Sequence, residues 1–305
     1  MKAITVTDRA AGTAGMTLQD RPYPHASEND VIVRVHAAGF TPGELEWPAT
    51  WADRAGRDRT PTIPGHELAG VVAELGYGTT GLTVGQRVFG LADWTRDGTL
   101  AEYVAVEARN LAPLPADVDF VAGASLVISG LTAWQGLFQH GGLQAGQSVL
   151  VTGAAGGVGS LVTQLAKDAG ALVIGAGRGP QRERILEAGA HRFVDVAGGE
   201  LEQAGDVDLV FDVIGGDVGT RAAALLRPGG TLVTIPGPPA LQRTDILARF
   251  FVVEPSRSEL IGLVERVRSG RLRTFVGDVV SLEQAATAFG KGSGRGKPIV
   301  QVMVE

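Results

Sequence analysis

The sequence predicts an α/β protein in which a β-rich part, formed by both ends of the chain, flanks an inserted part with a doubly wound parallel sheet. Three observations predict this architecture. Before residue 120, Val-rich segments either alternate between apolar and polar residues or are continuously apolar, and Gly and Pro separate these segments. From residue 148 onward, short apolar strands alternate with helical segments, a spacing typical of parallel strands joined by crossover helices. The length of 305 residues fits two domains.

The composition argues against several functional classes. The net charge of −6 at pH 7 is unlike that of a nucleic-acid-binding surface, which normally carries a basic patch. The absence of cysteine excludes disulfides, thiolate metal sites and cysteine nucleophiles. The N-terminal segment lacks the apolar core of a signal peptide, and the apolar runs are shorter than the ~20 residues of a membrane span. We therefore expect a cytoplasmic protein without nucleic-acid or membrane partners.

The β-rich part contains the predicted strands 30–39, 68–75, 85–91 and 100–106. Between the first two of these, the stretch from Thr41 to Pro64 is long, polar and rich in Pro, and it carries Trp47 and Trp51. A loop of this length in a compact domain is usually functional or mobile.

The middle of the chain begins with a helix predicted from about Phe120 to His140, after which strands and helices alternate. The predicted strands are Val149–Thr152, Ala171–Gly175, Arg192–Asp195, Val207–Val213 and Thr231–Ile235. The predicted helices between them are Ser160–Ala169, Gln181–Ala188 and Thr220–Leu226. The last stretch predicts a helix over Ser258–Ser269, a capping box from Ser281 to Gln284 and a strand over Pro298–Val304.

A glycine-rich turn, 153–159, lies between a predicted strand and a predicted helix. The first N–H groups of a helix have no internal partner and the helix dipole is positive there, so a pyrophosphate binds well if no side chain blocks it. Gly156 and Gly157 permit that approach, Gly159 lets the helix pack close to the strand, and Ala154 replaces the first Gly of the usual G-x-G-x-x-G. The alternative is an ordinary turn, but the βαβ context favours a dinucleotide site. Its predicted contacts are Ala155, Gly156, Gly157 and Val158.

The residues after the next strand indicate which dinucleotide binds. An NAD site usually has an acidic residue there, on the ribose 2′-OH. Here Gly177 is followed by Arg178, with Arg182 one turn further on. A guanidinium suits the 2′-phosphate of NADP by charge and by geometry. The alternative, solvated charges at a helix start, is opposed by the helix dipole. The sequence therefore favours NADPH over NADH.

Several motifs stand in one order along the chain: PGHELAGVV, GQRVFGL, GTLAEYV, GLTAW and GAAGGVG. With them the whole chain resembles the medium-chain dehydrogenase/reductase superfamily, and more narrowly its zinc-independent quinone oxidoreductase and enone reductase branch. The resemblance implies a GroES-like catalytic domain from residues 1–118 and 254–305 and a Rossmann NADP-binding domain from residues 119–253. It also implies a homodimer, which is common in this branch.

The resemblance raises the question of zinc, because Gly65-His66-Glu67 is similar to the Gly-His-Glu of zinc alcohol dehydrogenases. Phe40 or Thr41 and Ser129 stand at or near the places where that family has cysteine ligands. A catalytic zinc needs three protein ligands and an open position, so His66 and Glu67 alone are too few. We expect no metal, and we expect His66 to be a packed, hydrogen-bonded histidine.

Without zinc, the substrate oxygen needs another donor as negative charge develops on it. The segment AAGFTPGEL resembles the A-x-G-V-N-P-x-D pattern of the branch, with Thr41 in place of Asn and Glu44 near the Asp. Thr41 is the candidate catalytic hydroxyl, and a simple turn residue is the alternative. Where enoyl-thioester reductases carry a Tyr, Trp51 is nearest, which leaves no obvious proton donor. Asp93 would qualify only with a raised pKa.

A flat apolar pocket suited to a quinone or an enone is predicted from Trp47, Trp51 and Trp94, with core or loop packing as the alternative. The resemblance implies further cofactor contacts, some at strand ends where ligands bind in such folds. These contacts are Ser129, Thr132, Val213, Ile214, Ile235, Pro236, Gly237, Phe251 and Val252. Lys297 resembles the family's closing lysine, with a solvated loop charge as the alternative.

The function implied by the resemblance is an NADPH-dependent, zinc-independent transfer of hydride to a small-molecule quinone or α,β-unsaturated carbonyl compound. Two alternatives stay open. One is a non-catalytic NADPH-binding protein of a crystallin-like or redox-sensing kind. The other is a metal-dependent alcohol dehydrogenase, against which the ligand count argues.

Overall fold

The computed structural model describes residues 1–41, 43–239, 243–290 and 296–303. The chain forms two compact units. The first unit comprises Met1–Ile128, Glu254–Arg268 and Thr274–Glu305, and the second comprises Ser129–Val253 and Ser269–Arg273. By compactness the first boundary lies inside a helix, ten residues after the predicted division at 118/119.

The strands, in chain order, are β1 (Lys2–Thr5), β2 (Thr17–Asp20), β3 (Asp30–Gly39), β4 (Glu67–Leu75), β5 (Arg87–Leu91), β6 (Tyr103–Glu107), β7 (Leu111–Pro113), β8 (Ser148–Val151), β9 (Leu172–Gly177), β10 (Arg192–Asp195), β11 (Val207–Asp212), β12 (Leu226–Thr234), β13 (Leu247–Phe250), β14 (Val276–Ser281) and β15 (Lys297–Gln301). The α-helices are α1 (Pro48–Trp51), α2 (Phe120–Trp134), α3 (Gly157–Asp168), α4 (Arg182–Glu187), α5 (Gly216–Ala224), α6 (Arg257–Arg268) and α7 (Ala285–Gly290).

The first unit is built on a sheet with the strand order β14-β15-β3-β4-β5-β7, in which β6 also pairs with β3. Strand β3 pairs antiparallel with β4, with Gly39 opposite Glu67. Nearly every residue of β3 is buried, since both of its faces lie in the interior of the unit. The apolar core includes Val33, Leu68 and Val88. Burial of side chains of this kind contributes about 1.5–3 kcal/mol each.

The second unit contains a parallel sheet with the order β10-β9-β8-β11-β12-β13. All its strand pairs are parallel. This is the doubly wound order, in which the chain proceeds outward on one side of β8 and then on the other side from β11. Ligands of such sheets bind beyond the carboxyl ends of the strands at this reversal. The predicted fold class is confirmed, and the carboxyl ends of β8 and β11 mark the expected place of a cofactor.

The predicted helix over 120–140 is α-helical to Trp134 and continues as a π-helical segment, Gln135–His140. A Cβ at Gly136 would lie 2.4 Å from the Phe211 ring, so glycine is required where the helix crosses β11. By length and composition, Phe120–His140 would suffice to cross a membrane, but 83% of its most apolar window is buried within the protein. Burial of that kind is also usual for a core helix of a globular protein.

Other elements differ from the sequence predictions. The stretch from Thr41 to Pro64, predicted as a loop, holds a 3₁₀ turn at Glu44–Glu46 and the short helix α1. Strands β1, β2, β7, β13 and β14 were not predicted, because they are short and lack a strong apolar alternation. At the predicted capping box, the Ser281 N–H donates to Gln284 Oε1 at 3.4 Å. The last strand ends at Gln301, and Val304 lies outside the described residues.

Candidate functional site

The glycine-rich turn of the second unit connects β8 to the start of α3. Gly153 has a φ of +61°, the left-handed region that favours glycine, so this residue makes the tight turn that Ala154 cannot make. A Cβ at Gly159 would lie 2.2 Å from the Gly153 carbonyl oxygen, which explains why the helix requires glycine there. The predicted packing role of Gly159 is therefore confirmed.

The same turn has the features of a phosphate cradle. Among the described residues, no side chain caps the N-terminus of α3, whose Ncap residue is Gly156. A Cβ at Gly156 would meet nothing within 4 Å except the Gly153 carbonyl oxygen at 3.3 Å, so the space that it would fill is open to a ligand. Gly157 and Val158 begin the helix half-buried, while Ala155 is 5% exposed. Uncapped N–H groups beside open space fit a dinucleotide pyrophosphate.

A buried carboxylate joins the ends of three neighbouring strands at this edge. Asp212 Oδ1 accepts a hydrogen bond from Thr152 Oγ1 at 2.7 Å, and its Oδ2 accepts one from Thr234 Oγ1 at 3.1 Å. The backbone N–H groups of Ile214 and Gly215 also donate to Asp212, at 3.0–3.1 Å. Asp212 therefore positions the loop after β11. The sequence placed a ligand here but did not identify this structural role.

The predicted cofactor residues after β11 and β12 come together with the glycine turn. A Cβ on Gly153 would touch Ile214 and Val213, and one on Gly215 would touch Pro236 at 3.2 Å. Ile235 and Pro236 follow β12 directly. Gly237 has open space where its side chain would be. The structure thus gathers the loops after β8, β11 and β12.

The remaining predicted residues of the second unit differ in exposure. Ser129 and Thr132 are buried on α2, at 4% and 5% exposed. Phe251 is 9% exposed and stacks on His140, with ring centroids 4.3 Å apart. Val252 is 61% exposed. Phe251 therefore has a packing role inside the unit, whereas Val252 presents its side chain at the surface.

The arginines predicted to select NADP follow β9. Gly177 is buried, and a Cβ there would lie 2.5 Å from Ile185 Cδ1, so its glycine is explained by close packing of α4 on the sheet. Arg178 is exposed and, among the described residues, its guanidinium has no hydrogen bond or ion pair. The Arg182 guanidinium lies 5.4 Å from the centre of the Phe193 ring. Arg178 is the more available cation of the two.

In the first unit, a buried carboxyl group lies beside a buried imidazole. Glu44 is 0% exposed and His66 is 2% exposed, with Glu44 Oε1 3.4 Å from His66 Nε2. The Gly65 N–H donates to Glu44 Oε1 at 2.5 Å, and the Thr41 N–H donates to Oε2 at 3.3 Å. The 3₁₀ turn that begins at Glu44 directs this side chain inward. The packing predicted for His66 is confirmed, and Thr41, Glu44 and His66 form one cluster.

Burial determines the charge state of this pair. Burial raises the pKa of Glu44 to about 8, and the nearby Glu67 charge adds to the rise, against the lowering effects of two backbone N–H groups and Lys297. Burial lowers the pKa of His66 to about 3, and the charge of Arg59 lowers it further, whereas the Asp93 charge and a hydrogen bond from the His66 ring to the Asp93 backbone act to raise it. Both groups are therefore neutral at pH 7, and their contact is not an ion pair at that pH. Sequence patterns gave no signal for this arrangement.

Two polar atoms of the cluster lack protein partners. His66 Nδ1 and Thr41 Oγ1 are buried and make no hydrogen bond to the described residues. Buried polar groups are nearly always hydrogen-bonded, so an orphaned atom needs an explanation such as a ligand. The His66 ring is nevertheless hydrogen-bonded to the Asp93 backbone, as predicted for a packed histidine, and the Thr41 hydroxyl is left with unmet hydrogen-bonding capacity among the described residues.

Lys297 lies at a second buried carboxylate of the first unit. Its Nζ contacts Glu67 Oε1, while the Ile128 N–H donates to Glu67 Oε2 at 2.9 Å. The Lys297 side chain is 9% exposed, so the alternative of a solvated loop charge is wrong. A Cβ at Gly39 would lie 2.4 Å from Glu67 Oε1, which makes glycine necessary on the paired strand.

Of the three predicted pocket tryptophans, two lie at the Glu44–His66 cluster. Trp94 contacts His66 edge-on at 4.9 Å between ring centroids, and it contacts Trp47 edge-on at 5.3 Å. Trp51 instead packs against the apolar core and donates from Nε1 to the Leu45 carbonyl at 2.7 Å. Trp51 therefore has a packing role and not the predicted pocket role, because its rings contact the core and its Nε1–H is bonded to a backbone carbonyl.

Asp93 does not have the raised pKa that a proton donor would need. Partial burial raises its pKa, but hydrogen bonds from Thr95 and Arg54 outweigh that effect and hold the pKa below its usual range. The Thr95 N–H and Oγ1 donate to Asp93 Oδ1 at 2.8 and 2.5 Å. Asp93 is therefore a carboxylate at neutral pH.

The described residues of the first unit do not supply the ligand set of a catalytic zinc ion. Among the described residues, no group of three or more His, Cys, Asp or Glu could hold a metal. Glu67, the neighbour of His66 in sequence, is engaged by Lys297. A bound Zn²⁺ would require three ligands from the protein.

Comparisons with known proteins place these features in a family. The model of the alcohol dehydrogenase GroES-like domain matches residues 27–116, and that of the zinc-binding dehydrogenase matches residues 188–300. The 2-methylene-furan-3-one reductase of Solanum lycopersicum is 31% identical over 288 residues, covering 90% of this chain and 71% of that protein. The chain belongs to the medium-chain dehydrogenase/reductase superfamily. It is an oxidoreductase of that superfamily, whose members use nicotinamide cofactors.

Two further superfamily members are similar to this chain. The quinone oxidoreductase of Coxiella burnetii superimposes with a TM-score of 0.92 at 28% identity, covering 99% of each chain. The NADPH-dependent alkenal/one oxidoreductase of Arabidopsis thaliana chloroplasts is 33% identical over 265 residues, which cover 83% of this chain and 66% of that protein. The recognition of this superfamily from the sequence motifs is confirmed.

Proposed function

We propose that this medium-chain reductase transfers hydride from NADPH to a quinone or an α,β-unsaturated carbonyl compound without a zinc ion. The observation that carries the proposal is the cradle of the second unit. It consists of a helix N-terminus without a side-chain cap, the open space at Gly156, and Arg178 after the next strand, whose guanidinium has no partner among the described residues. An uncapped N-terminus binds a pyrophosphate, and a free guanidinium binds a further phosphate.

Arg178 supports NADPH as the cofactor. A 2′-phosphate carries charge that needs a cation, and a guanidinium without a protein partner can bind it with two hydrogen bonds. The similar Arabidopsis protein is described as NADPH-dependent, which agrees with this choice. NADH lacks the 2′-phosphate and would gain nothing from Arg178.

The first unit supports an acceptor that is flat and carries a carbonyl oxygen. Trp94 contacts the His66 ring and Trp47 contacts Trp94. Thr41, whose N–H donates to Glu44 in the same cluster, has a hydroxyl without a hydrogen-bond partner among the described residues. When bound, NADPH supplies a hydride to the electron-poor carbon of such an acceptor, and negative charge develops on the acceptor's oxygen. Thr41 Oγ1 donates a hydrogen bond to that oxygen and stabilises the charge. The names of the tomato and Coxiella proteins, a furanone reductase and a quinone oxidoreductase, fit these two acceptor classes.

The exposed edge of the second unit's sheet supports the proposal that this protein forms a homodimer. Strand β13 pairs with β12 on one side, and all four of its residues are exposed, with Leu247 and Phe250 at 42% and 41%. An exposed apolar edge strand is a ready template for pairing with another chain. A second copy of this protein is the partner that would cover it.

The test is oxidation of NADPH and NADH at 340 nm with a benzoquinone, a naphthoquinone, an aliphatic enone and an enal, each with and without a chelator. We expect consumption of NADPH that resists the chelator, with NADH much weaker. Loss of activity on chelation would contradict the zinc-free mechanism. Tight NADPH binding without turnover of any acceptor would instead favour a non-catalytic binding protein.

A further inference from the structure

We propose that Asp212 is a positioning residue that fixes the loop after β11 so that this loop receives the nicotinamide ring of the cofactor and not one of its phosphates. The proposal rests on the proposed function, since it takes a nicotinamide dinucleotide as the ligand of the second unit. It assigns a task to a buried carboxylate that the phosphate cradle itself does not use.

The Asp212 side chain is held by groups from the two strands that flank β11. Asp212 is 2% exposed, and Thr152, directly after β8, donates its hydroxyl to Oδ1 at 2.7 Å. Thr234, the last residue of β12, donates its hydroxyl to Oδ2 at 3.1 Å. The backbone carbonyl of Asp212 also accepts the Ile235 N–H at 3.2 Å. One residue therefore sets the relative positions of the three loops that follow these strands.

The same network uses the N–H groups of the loop after β11. The Val213 N–H donates to Thr152 Oγ1 at 2.9 Å. The Ile214 and Gly215 N–H groups donate to the Asp212 carboxylate at 3.0–3.1 Å. A phosphate needs N–H groups or cations as donors, and these three consecutive N–H groups are already bonded. The negative charge of the carboxylate further disfavours a phosphate nearby.

The donors that a phosphate needs lie at the start of α3 in the same unit. That helix has no side-chain cap among the described residues, and the space beside Gly156 is open. A Cβ on Gly153, at the other end of this turn, would lie 3.3 Å from Ile214, so the two loops are neighbours. Since one ribose joins the nicotinamide to the pyrophosphate, a pyrophosphate at α3 leaves the ring for the loop after β11.

The loop is packed closely enough that a small displacement would change the space for a ring. A Cβ on Gly215 would lie 3.2 Å from Pro236, in the loop after β12. A Cβ on Gly219 would lie 2.4 Å from the carboxylate, because the first turns of α5 pack directly on Asp212. Ile214 is nevertheless 43% exposed and offers apolar surface to a ligand.

The first test compares ligands that differ only by the nicotinamide ring. The compound 2′-phospho-ADP-ribose keeps every phosphate and ribose of NADPH and lacks the ring, and ADP-ribose has the same relation to NADH. Asp212→Asn keeps the size of the side chain, but its NH₂ group cannot accept the hydrogen bonds of the lost oxygen. We expect the dissociation constant of NADPH to rise about 10-fold and that of 2′-phospho-ADP-ribose to change less than about 2-fold.

The matched control is Asp208→Asn, the same change near the amino end of the same strand. The Asp208 carboxylate accepts hydrogen bonds from the Ser148 N–H and hydroxyl at 2.7 and 2.8 Å and from Arg227 at 2.8 Å. We expect this variant to melt at a lower temperature without any change in the ratio of the two dissociation constants. Thr234→Val should raise that ratio, whereas Thr234→Ser, which keeps the hydroxyl, should leave it unchanged.

A second measurement requires no cofactor. Amide hydrogen exchange followed by NMR should show protected Ile214 and Gly215 N–H groups in the wild type. We expect Asp212→Asn to lose this protection and Asp208→Asn to retain it. Protection that survives in Asp212→Asn would overturn the proposal, because the carboxylate would then not fix the loop.

The binding results separate the failure of this proposal from that of the proposed function. Equal weakening of a cofactor and its ring-free analogue, or no weakening of either, would overturn the task of Asp212 alone. A wild type that prefers NADH and ADP-ribose would contradict the NADPH preference, and the ratio within that pair then decides the task of Asp212. A wild type that binds none of the four ligands would contradict the proposed function and the task of Asp212 with it.

Discussion

Lys297 Nζ contacts Glu67 Oε1 inside the first unit, and neither side chain has appreciable contact with solvent. The two residues come from β15 and β4, which lie on either side of β3. This ion pair therefore fastens the last described strand of the chain to the Gly-His-Glu segment that neighbours the Glu44–His66 cluster.

Removing one partner of this pair should destabilise the protein strongly. We expect Lys297→Met to lower the free energy of unfolding by about 3–5 kcal/mol, because it leaves the Glu67 carboxylate buried and uncompensated. The double variant Lys297→Met with Glu67→Gln should recover much of that loss, since an amide oxygen can still accept the Ile128 N–H. Urea denaturation of the three proteins measures this. A double variant as unstable as the single one would contradict the explanation.

The two glycines of the phosphate turn should respond differently to the same change. Gly159→Ala places a Cβ 2.2 Å from the Gly153 carbonyl oxygen, so we expect about 1–3 kcal/mol of destabilisation together with weaker cofactor binding. Gly156→Ala meets the backbone only at 3.3 Å and should fold normally while weakening NADPH binding by occupying the cradle. Thermal melting and fluorescence titration with NADPH separate the two effects. Equal stability losses would argue against the packing explanation for Gly159.

Arg178 should determine the preference for NADPH. Loss of a hydrogen-bonded charge pair costs about 1.5–3 kcal/mol, so Arg178→Ala should weaken NADPH binding by roughly 10–100-fold and leave NADH binding unchanged. The control is Arg192→Ala, an exposed arginine of the same unit that begins β10 at the amino end of the sheet. Dissociation constants for both cofactors give the answer. A similar loss of NADH affinity would mean that Arg178 stabilises the loop structure and does not bind the 2′-phosphate.

Stability should fall as the pH rises because of Glu44. Its pKa is about 8 in the folded protein and near 4.5 when exposed, so between these values the folded state binds more protons than the unfolded state. Stability from this group is complete below about pH 4.5 and is lost progressively as the pH rises to about 8. Relative to the wild type, Glu44→Gln should therefore melt at an increasingly higher temperature from pH 5 to pH 9. A constant difference across that range would show that Glu44 is charged in the folded protein.

The fold could be predicted from the sequence because its signals are local. The Val-rich segment of β3 and the apolar run of β8 before a glycine turn each specify a strand within a few residues. Strands β13 and β14 escaped prediction because their pairing, not their composition, makes them strands. Trp51 was assigned to a pocket because a sequence shows that a tryptophan is present but not which of its surfaces are already buried.

By itself the sequence determined the superfamily, the doubly wound sheet and the glycine-rich turn before α3, since each depends on residues that are neighbours along the chain. Only the tertiary structure decided the chemistry of the first unit. Glu44 and His66 are 22 residues apart, and their neutrality depends on exclusion of water by strands and loops from the whole unit. Lys297 reaches Glu67 from the far end of the chain. Charge states and partners of buried groups are set by distance and solvent in three dimensions, which no local pattern encodes.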